Sequence, residues 1–389
     1  MKIPPEGFIL AVTNCGIHFA GLVISPVNGV RRSLDMEKIK AVQIVKPGEL
    51  RIVEMDMPHI DEHNNVLVKV KASGLCGSDA GIYHGTNAAA TYPRVIGHEI
   101  VGEVVEAGPT ATKVKVGDRV IIDQVTACGH CYACRHGRPN VCQHLQVRGV
   151  HIDGGYREYM AVPDKDCYIL PDFLRYEDAV LIEPTTIAVQ ACSRAQIAED
   201  DEVLINGQGA LGTRMLSIVK IHHPKKIIVS DIFDEKLEYA LQNGADYAIN
   251  PKKENFFEKL KDITTDGYGP TLSIDCACTK DSLGTLIQGS GNAGRIITMG
   301  FTTTPTEVTN FGITSKELDV RGSRLQNHKF QEVIDLVNEG KVDLDHKISH
   351  VCDFREAQSG FDFNDTHDPS IRKIVFTMEG EPYKVRKDQ

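Results

Sequence analysis

Two patterns of apolar and polar residues divide the chain into unlike parts. Between residue 36 and about residue 185, short segments such as 66–72 alternate apolar and polar residues with a period of two, and glycine turns separate them. From about residue 200, strand-like apolar runs alternate with amphipathic helical segments. The first pattern predicts an antiparallel, barrel-like domain. The second predicts parallel strands joined by crossover helices.

The second part contains six predicted strands, with helices predicted over 234–243, 254–263 and 280–288. The strands cover residues 202–206, 226–231, 246–249, 271–275, 295–299 and 318–323. Six such strands predict a doubly wound parallel sheet, so the fold class is α/β. We therefore expect a first domain over 36–185, a second over 186–322, and a return of residues 323–389 to the first domain.

The first 35 residues fit neither pattern. Their apolar run, residues 8–26, contains Asn14 and His18, which makes it a poor membrane span. Lys2 before an apolar run is typical of a signal peptide, but a small-residue cleavage site is lacking. A cleaner domain start follows at Met36. We interpret residues 1–35 as an N-terminal extension.

Charge and cysteine content narrow the class of protein. The chain of 389 residues has 53 acidic and 43 basic side chains, for a formal net charge of −10. This balance argues against a nucleic-acid or anionic-membrane partner. Eleven cysteines in a chain of this length do not resemble a small disulfide-stapled secreted domain, so we expect a cytoplasmic protein.

Four of the cysteines are closely spaced. Cys128, Cys131, Cys134 and Cys142 form a C-x2-C-x2-C-x7-C pattern. Short loops with this spacing direct four thiolates at one point, which suits a closed, structural zinc site. An iron–sulfur cluster and a pair of disulfides are the alternatives. The enzyme-like size of the chain favours zinc.

A glycine-rich turn follows the first strand of the parallel sheet. Gly207, Gly209 and Gly212 form G-x-G-x-x-G between a predicted strand and a predicted helix, whose apolar stripe includes Leu211. We expect this turn to bind a dinucleotide. Asp231 ends the next strand, where a carboxylate binds ribose hydroxyls and repels a 2′-phosphate, so NAD is favoured over NADP. The alternative is a glycine turn in some other α/β protein.

A second group of metal-binding residue types lies outside the cysteine-rich segment. It contains Cys76, His98, Glu99 and Glu183. A thiolate, an imidazole and a carboxylate can hold a catalytic zinc and leave one position open. Taken singly, each could be an ordinary buried or helix-start residue; beside a dinucleotide site and a structural zinc they predict a catalytic metal.

Together these motifs resemble the zinc-dependent medium-chain dehydrogenase/reductase family, the alcohol, sorbitol and threonine dehydrogenase group. The resemblance covers residues 36–378 and rests on Gly97-His98-Glu99, residues 116–120, the four-cysteine segment, Glu183-Pro184 and the glycine turn. It implies a GroES-like β-barrel catalytic domain with a Rossmann NAD domain. It also implies one catalytic and one structural Zn²⁺ per chain, and a homodimer or homotetramer.

The same resemblance implies roles for single residues. Cys76, His98 and Glu183 fall on catalytic-zinc positions, and Glu99 falls on a carboxylate that binds the metal or exchanges with water. Ser78 is placed for the proton relay. A relay histidine of other members falls on Gly81, so His84 is the substitute we consider.

The substrate prediction also rests on resemblance. Glutamate at position 183, where typical alcohol dehydrogenases carry cysteine, indicates the polyol and threonine branch. Residues 322–335 and 347–354 are similar to bacterial L-galactonate and L-gulonate 5-dehydrogenases. We therefore expect oxidation of a secondary hydroxyl of a sugar acid. A neutral polyol such as sorbitol or galactitol, or L-threonine, is the alternative substrate, and a non-catalytic zinc and dinucleotide sensor is the alternative of another class.

A sugar acid needs a cation for its carboxylate. The candidates are Arg148, His151, Arg324 and His328, because arginine in particular binds carboxylates in a bidentate manner. Each could instead form an ordinary surface ion pair.

Two substitutions separate the predicted roles of the metals. We expect Cys76→Ala to abolish turnover while folding and NAD binding are kept. Cys131→Ala should instead lower the free energy of unfolding, because a structural zinc contributes folding energy. Thermal denaturation, NAD binding and turnover of both variants check this, and an equal loss of stability in both would contradict it.

Overall fold

The computed structural model describes residues 38–301, 303–345, 347–378 and 384–385. The predicted N-terminal extension lies outside the described residues. None of the helices in these ranges has the length and apolarity that crossing a membrane requires.

Residues 38–169 form mainly antiparallel β-structure, as predicted. The strands are β1 (Lys38–Lys46), β2 (Glu49–Asp56), β3 (Val66–Gly74), β4 (Arg94–Val95), β5 (Glu99–Ala107), β6 (Arg119–Ile122), β7 (Val125–Thr126), β8 (Gln146–Val147), β9 (Tyr159–Val162) and β10 (Cys167–Ile169). Three short helices accompany them: α1 (Gly77–Tyr83), α2 (Tyr132–Arg135) and α3 (Tyr176–Ala179).

Strand β3 is the centre of the larger antiparallel sheet. It pairs with β5 and with β9, and β5 pairs in turn with β6. Val68, Val70 and Ala72 of β3 are fully buried, whereas Lys69 and Lys71 between them are partly exposed. The period-two pattern therefore marks a strand with one face in the core.

A long helix, α4 (Ile182–Ala195), leads into the second part, where six parallel strands alternate with helices. The strands are β11 (Glu202–Asn206), β12 (Lys226–Ser230), β13 (Tyr247–Ile249), β14 (Leu272–Asp275), β15 (Arg295–Thr298) and β16 (Asp319–Gly322). The helices are α5 (Ala210–Ile221), α6 (Asp234–Gln242), α7 (Phe256–Ile263), α8 (Ser282–Gly289) and α9 (Asn310–Thr314).

The strand order β13-β12-β11-β14-β15-β16 confirms the predicted doubly wound sheet. The order reverses between β11 and β14, and the crevice beyond the carboxyl ends at such a point is where ligands bind. In β11, Val203 and Ile205 pack into one hydrophobic cluster and Leu204 into another. Both faces of the strand are covered, which explains its continuous apolar run.

The C-terminal segment adds strands to the first sheet. It contains α10 (Phe330–Asn338), β17 (His350–Asp353), α11 (Ala357–Asp365), β18 (Ile374–Thr377) and β19 (Lys384–Val385). Strand β18 pairs antiparallel with β3, and β17 pairs parallel with β18. Strand β18 thus pairs with the strand that leads to Cys76. The predicted domain boundaries stay predictions.

Gly97, immediately before His98, has a backbone conformation and surroundings that other residues do not fit. Its φ is +91°, and a Cβ there would lie 2.2 Å from the ring of the fully buried Tyr156. Gly117 has the same φ of +91°, but a Cβ there would meet nothing within 4 Å. A comparison of substitutions at the two glycines therefore distinguishes the cost of the backbone conformation from the cost of the steric clash.

We expect Gly117→Ala to lower the free energy of unfolding by about 1–2 kcal/mol, the cost of left-handed backbone. Gly97→Ala should lower it by about 1–3 kcal/mol more, because the Tyr156 ring must also move. Urea denaturation of both variants measures the difference. Equal losses would show that the contact with Tyr156 carries no cost.

Candidate active site

A cavity of about 910 Å³ lies where the antiparallel part of the structure faces the carboxyl ends of the parallel strands. Cys76, His98, Glu99 and Glu183 line one side of it. The lining on the other side includes the start of α5, at Ala210 and Leu211, Cys278 in the segment after β14, and Thr298 at the end of β15. The predicted metal residues therefore share one cavity with Leu211, one of the predicted dinucleotide residues.

Three of the four predicted catalytic-metal ligands meet in space. Cys76 precedes α1, and His98 and Glu99 stand at the start of β5. One ligand atom from each of the three lies within 4.8 Å of the other two. Cys76, although 22 residues before His98 in the sequence, therefore forms one ligand cluster with His98 and Glu99.

Asp79 fixes the positions of two of these ligands, and the sequence analysis missed it. Its fully buried carboxylate accepts hydrogen bonds from the backbone N–H of Cys76 (3.0 Å) and of Gly97 (3.2 Å). It also lies 3.5 Å from Nδ1 of His98. A carboxylate in this position orients a metal-binding histidine through its second ring nitrogen. The signal was the acidic residue three positions after Cys76.

Glu183, the fourth predicted ligand, lines the cavity but stands apart from the cluster. Its Oε1 accepts a hydrogen bond from Nε2 of Gln124 at 2.5 Å, and both side chains are buried. Glu99 forms a buried ion pair with Lys373, just before β18. Each glutamate thus has its own buried donor. The local sequence identified neither Gln124 nor Lys373 as that donor.

The donor set fits zinc. A thiolate, an imidazole and a carboxylate are zinc ligands, and catalytic sites keep a further position open. The clustered side chains face a cavity that leaves room for such a position. Oε2 of Glu99 is buried and has no hydrogen-bond partner among the described residues. A buried carboxylate oxygen without a donor is costly unless a cation lies beside it.

Opposite charges crowd into this site. Burial raises the pKa of the Cys76 thiol, but His98 outweighs burial and holds that pKa below its ordinary value. Burial lowers the pKa of His98, but Asp79 and Cys76 raise it well above the ordinary value. Burial raises the pKa of the Glu183 carboxyl well above its usual range. The site therefore favours the thiolate that a zinc ligand requires.

The four-cysteine segment also converges as predicted. The Sγ atoms lie 3.5 Å apart between Cys131 and Cys134, 3.8 Å between Cys131 and Cys142, and 3.4 Å between Cys142 and Cys128. Zinc–sulfur bonds of about 2.3 Å in a tetrahedron separate the sulfurs by about 3.8 Å. The cysteines that the structure describes are all free thiols, which excludes the disulfide alternative for this segment.

Sulfurs this close favour one shared ion over an iron–sulfur cluster, where different irons hold different thiolates. Backbone N–H groups of Cys128 and His144 donate to Sγ of Cys142 at 3.3 and 3.2 Å. Such donors stabilise a thiolate. These residues fit a structural zinc.

The glycine turn has the shape that a dinucleotide requires. Gly207 has a φ of +96°, and a Cβ on Gly212 would lie 1.9 Å from the carbonyl oxygen of Gly207. A Cβ on Gly209 would meet nothing within 4 Å, which leaves that side open for a pyrophosphate. Asp231 lies just after β12, and its Oδ2 accepts a hydrogen bond from the backbone N–H of Gln208 at 2.7 Å.

The two predicted relay residues lie in different places. Ser78 lines the cavity, and its Oγ lies 3.4 Å from Nε2 of His98. His84 ends α1 outside the cavity lining, and its Nε2 lies 3.0 Å from Oδ1 of Asp365. The structure does not bring His84 to the site, because the helix turns its end toward the C-terminal segment.

Two of the four predicted substrate residues line the cavity, and two do not. His151 and Arg324 are in the lining. Arg148 is buried behind it, where Nη2 donates to Asp166 at 2.7 Å and Nε to the carbonyl oxygen of Asp123 at 3.3 Å. His328 is exposed and outside the lining. The sequence analysis missed Arg138 and Arg194, which do line the cavity.

Comparison with known proteins adds an independent line of evidence. Residues 62–172 match the model of the alcohol dehydrogenase GroES-like domain, and residues 210–339 match the zinc-binding dehydrogenase model. The crystal structure of the alcohol dehydrogenase RspB of Escherichia coli CFT073 complexed with the cofactor NADH superposes with a TM-score of 0.83. It is 39% identical, over 88% of this chain and 100% of that chain.

Three curated relatives span most of the chain. The starvation-sensing protein RspB of Escherichia coli K12 is 41% identical, over 87% of this chain and 99% of its own. L-threonine 3-dehydrogenase of Pyrococcus horikoshii is 36% identical, over 81% and 91%. L-galactonate-5-dehydrogenase of Escherichia coli K12 is 30% identical, over 86% and 97%. The likeness to a hexonate dehydrogenase is thus weaker than the likeness to RspB.

The family matches and the ligand cluster are those of a dehydrogenase, which argues against a non-catalytic zinc and dinucleotide sensor. The sequence and structure agree on two metal sites and one dinucleotide site in a two-part fold. The chain belongs to the zinc-binding alcohol dehydrogenase family of medium-chain dehydrogenases, and it is an oxidoreductase that uses zinc and NAD(H).

Proposed function

We propose that this dehydrogenase oxidises a secondary hydroxyl of a sugar acid to the keto acid, with NAD as the hydride acceptor. The observation that supports the acidic substrate is the charge of the cavity lining. Its two carboxylates, Glu99 and Glu183, belong to the metal site, whereas Arg324 has no carboxylate partner among the described residues. A substrate carboxylate would supply that partner.

His151 adds a polar group beside Arg324. Its Nδ1 accepts a hydrogen bond from the backbone N–H of Val147 at 3.1 Å. Burial, and then Arg324 and Arg94, lower the pKa of His151 below its ordinary value. The neutral ring therefore has a protonated Nε2 that can donate to a substrate hydroxyl or carboxylate.

We assign the metal to Cys76 and His98, with Glu99 or Glu183 as the carboxylate ligand. When bound, zinc supplies Lewis acidity toward the substrate hydroxyl, and the nicotinamide supplies the hydride acceptor. Ser78, which lines the cavity, would relay the hydroxyl proton: its Oγ takes the proton from the substrate as it passes its own proton to solvent in the cavity. Gln124 and Lys373 hold the two glutamates in place, and Asp79 holds the imidazole.

The coenzyme preference rests on Asp231. Its carboxylate stands at the end of β12, where a 2′-phosphate would meet a negative charge. NAD lacks that phosphate, so it is the coenzyme we propose. The homodimer or homotetramer and the cytoplasmic location stay predictions.

A change at Asp231 tests the coenzyme preference. Asp231→Asn keeps an oxygen that can accept from the Gln208 N–H but removes the charge, so the ratio of kcat/KM for NADP to that for NAD should rise about tenfold or more. Asp231→Ala should also weaken binding of both coenzymes, because the glycine turn loses a hydrogen bond. Glu235→Gln, on the exposed face of α6, is the control. An unchanged ratio in Asp231→Asn would contradict the assignment.

A panel of substrates tests the proposed function. NADH formation is measured with L-galactonate, L-gulonate, L-idonate, sorbitol, galactitol and L-threonine. We expect one hexonate to have a much higher kcat/KM than sorbitol, galactitol and L-threonine, because the cavity offers a cation to its carboxylate. Activity on the neutral polyols or L-threonine alone would keep the enzyme class and refute the sugar-acid substrate.

A further inference from the structure

We propose that the structural-zinc segment, residues 128–142 with the four cysteines, takes part in substrate recognition. Arg138 of that segment, Arg194 at the end of α4 and Arg324 after β16 form a subsite for an oxyanion. The ligand is a carboxylate or phosphate group of the substrate, remote from the reacting hydroxyl. This inference rests on the proposed function and names the residues that would make the enzyme specific for anionic substrates.

All three arginines line the same cavity, although they come from three separate segments. Nε of Arg194 donates to the carbonyl oxygen of Gly322 at 3.2 Å, and the Arg324 guanidinium stacks on the ring of Phe301 at 4.4 Å. Within the described residues, none of the three forms an ion pair with a carboxylate. In contrast, Arg148 and Arg321 are both paired.

Hydrogen bonds hold the structural-zinc segment against the loop that carries Arg324. The buried Asn140 donates through Nδ2 to the carbonyl oxygen of Arg324 at 2.8 Å. In the reverse direction, Nδ2 of Asn327 donates to the carbonyl oxygen of Gly137 at 2.8 Å. Gly137 is next to Arg138, so these hydrogen bonds fix the backbone at Arg138 relative to the backbone at Arg324.

The positive charges act on one another. Burial, and then the nearby Arg138 and Arg321, lower the pKa of Arg194. Burial also lowers the pKa of Arg324. Arg321 is neutralised by Asp319, whereas Arg138 and Arg194 have no such partner among the described residues. A bound oxyanion would relieve this repulsion, and guanidinium groups suit carboxylate and phosphate oxygens.

The subsite lies away from the metal ligands. Glu183 and Arg194 both line the cavity and both belong to α4. Eleven residues of helix separate their Cα atoms by about 16 Å along the axis. In L-threonine the carboxylate lies two carbons from the reacting carbon. A sugar acid or sugar phosphate, whose anion is several carbons from the reacting hydroxyl, fits this separation better.

The coenzyme is a less suitable occupant. The open side of Gly209 belongs to the turn before α5, where a helix N-terminus receives the pyrophosphate. The 2′-phosphate that NADP would add belongs beside Asp231. A role of the arginines in coenzyme binding is nevertheless a testable outcome.

The test compares Arg138→Gln and Arg194→Gln with Arg135→Gln. Arg135 belongs to the same structural-zinc segment, but it lies outside the cavity lining and bonds to the carbonyl oxygen of His130. Zinc content, thermal stability and the Kd for NADH are measured first. KM is then measured for L-gulonate, sorbitol and sorbitol 6-phosphate.

We expect KM for an anionic substrate to rise at least tenfold in Arg138→Gln and in Arg194→Gln, and much less for sorbitol. Arg138→Lys should recover part of the loss, and Arg135→Gln should behave as the wild type. A larger rise in KM for L-gulonate would identify a carboxylate as the anion that the subsite prefers. A larger rise in KM for sorbitol 6-phosphate would identify a phosphate. Equal effects on anionic and neutral substrates, or a weaker NADH complex, would overturn the proposal.

One further measurement separates this proposal from the proposed function. If the wild type oxidises no sugar acid, the sugar-acid function fails, but L-gulonate and inorganic phosphate can still be tested as competitive inhibitors of sorbitol oxidation. Inhibition that is weakened at least tenfold by Arg138→Gln would support the oxyanion subsite on its own. Inhibition that the substitution leaves unchanged would refute it.

Discussion

The buried ion pair between Glu99 and Lys373 joins distant parts of the chain at the metal site. Both side chains are almost fully buried, and removing charges from water is costly unless they pair. Lys373 reaches Glu99 because β18 pairs with β3 next to β5. The C-terminal segment therefore supplies the positive charge that balances Glu99 at the metal site.

The other buried acidic groups of the site also have hydrogen-bond donors within the fold. Asp79 accepts hydrogen bonds from two backbone N–H groups, and Glu183 accepts one from Gln124. Glu99 forms an ion pair with Lys373. The negative charges of the cavity are thereby gathered at the metal end. Arg138, Arg194 and Arg324 also line the cavity and have no carboxylate partner among the described residues, so the proposed subsite would separate anion binding from the reacting hydroxyl.

Local patterns were sufficient where a function needs residues that are close in sequence. The four cysteines, the glycine turn with Asp231 and the six parallel strands could all be recognised, because their spacing is imposed by local geometry. Charge partners were harder to predict. Arg148 looked like a carboxylate binder but pairs with Asp166, and His84 looked like a relay residue but meets Asp365.

The sequence by itself determined the α/β fold class, the four-cysteine segment and the dinucleotide turn, since these follow from periodicity and short spacings, whereas the roles of the catalytic-metal residues came from the family resemblance. Tertiary structure decided which charged side chains face the cavity and which are neutralised behind it. Arg138, Arg194 and Arg324 come from three segments that only the packed fold brings to one cavity. Contacts between side chains that are far apart in the sequence leave no local pattern, and this is the physical reason why the proposed anion subsite could not be predicted from the sequence.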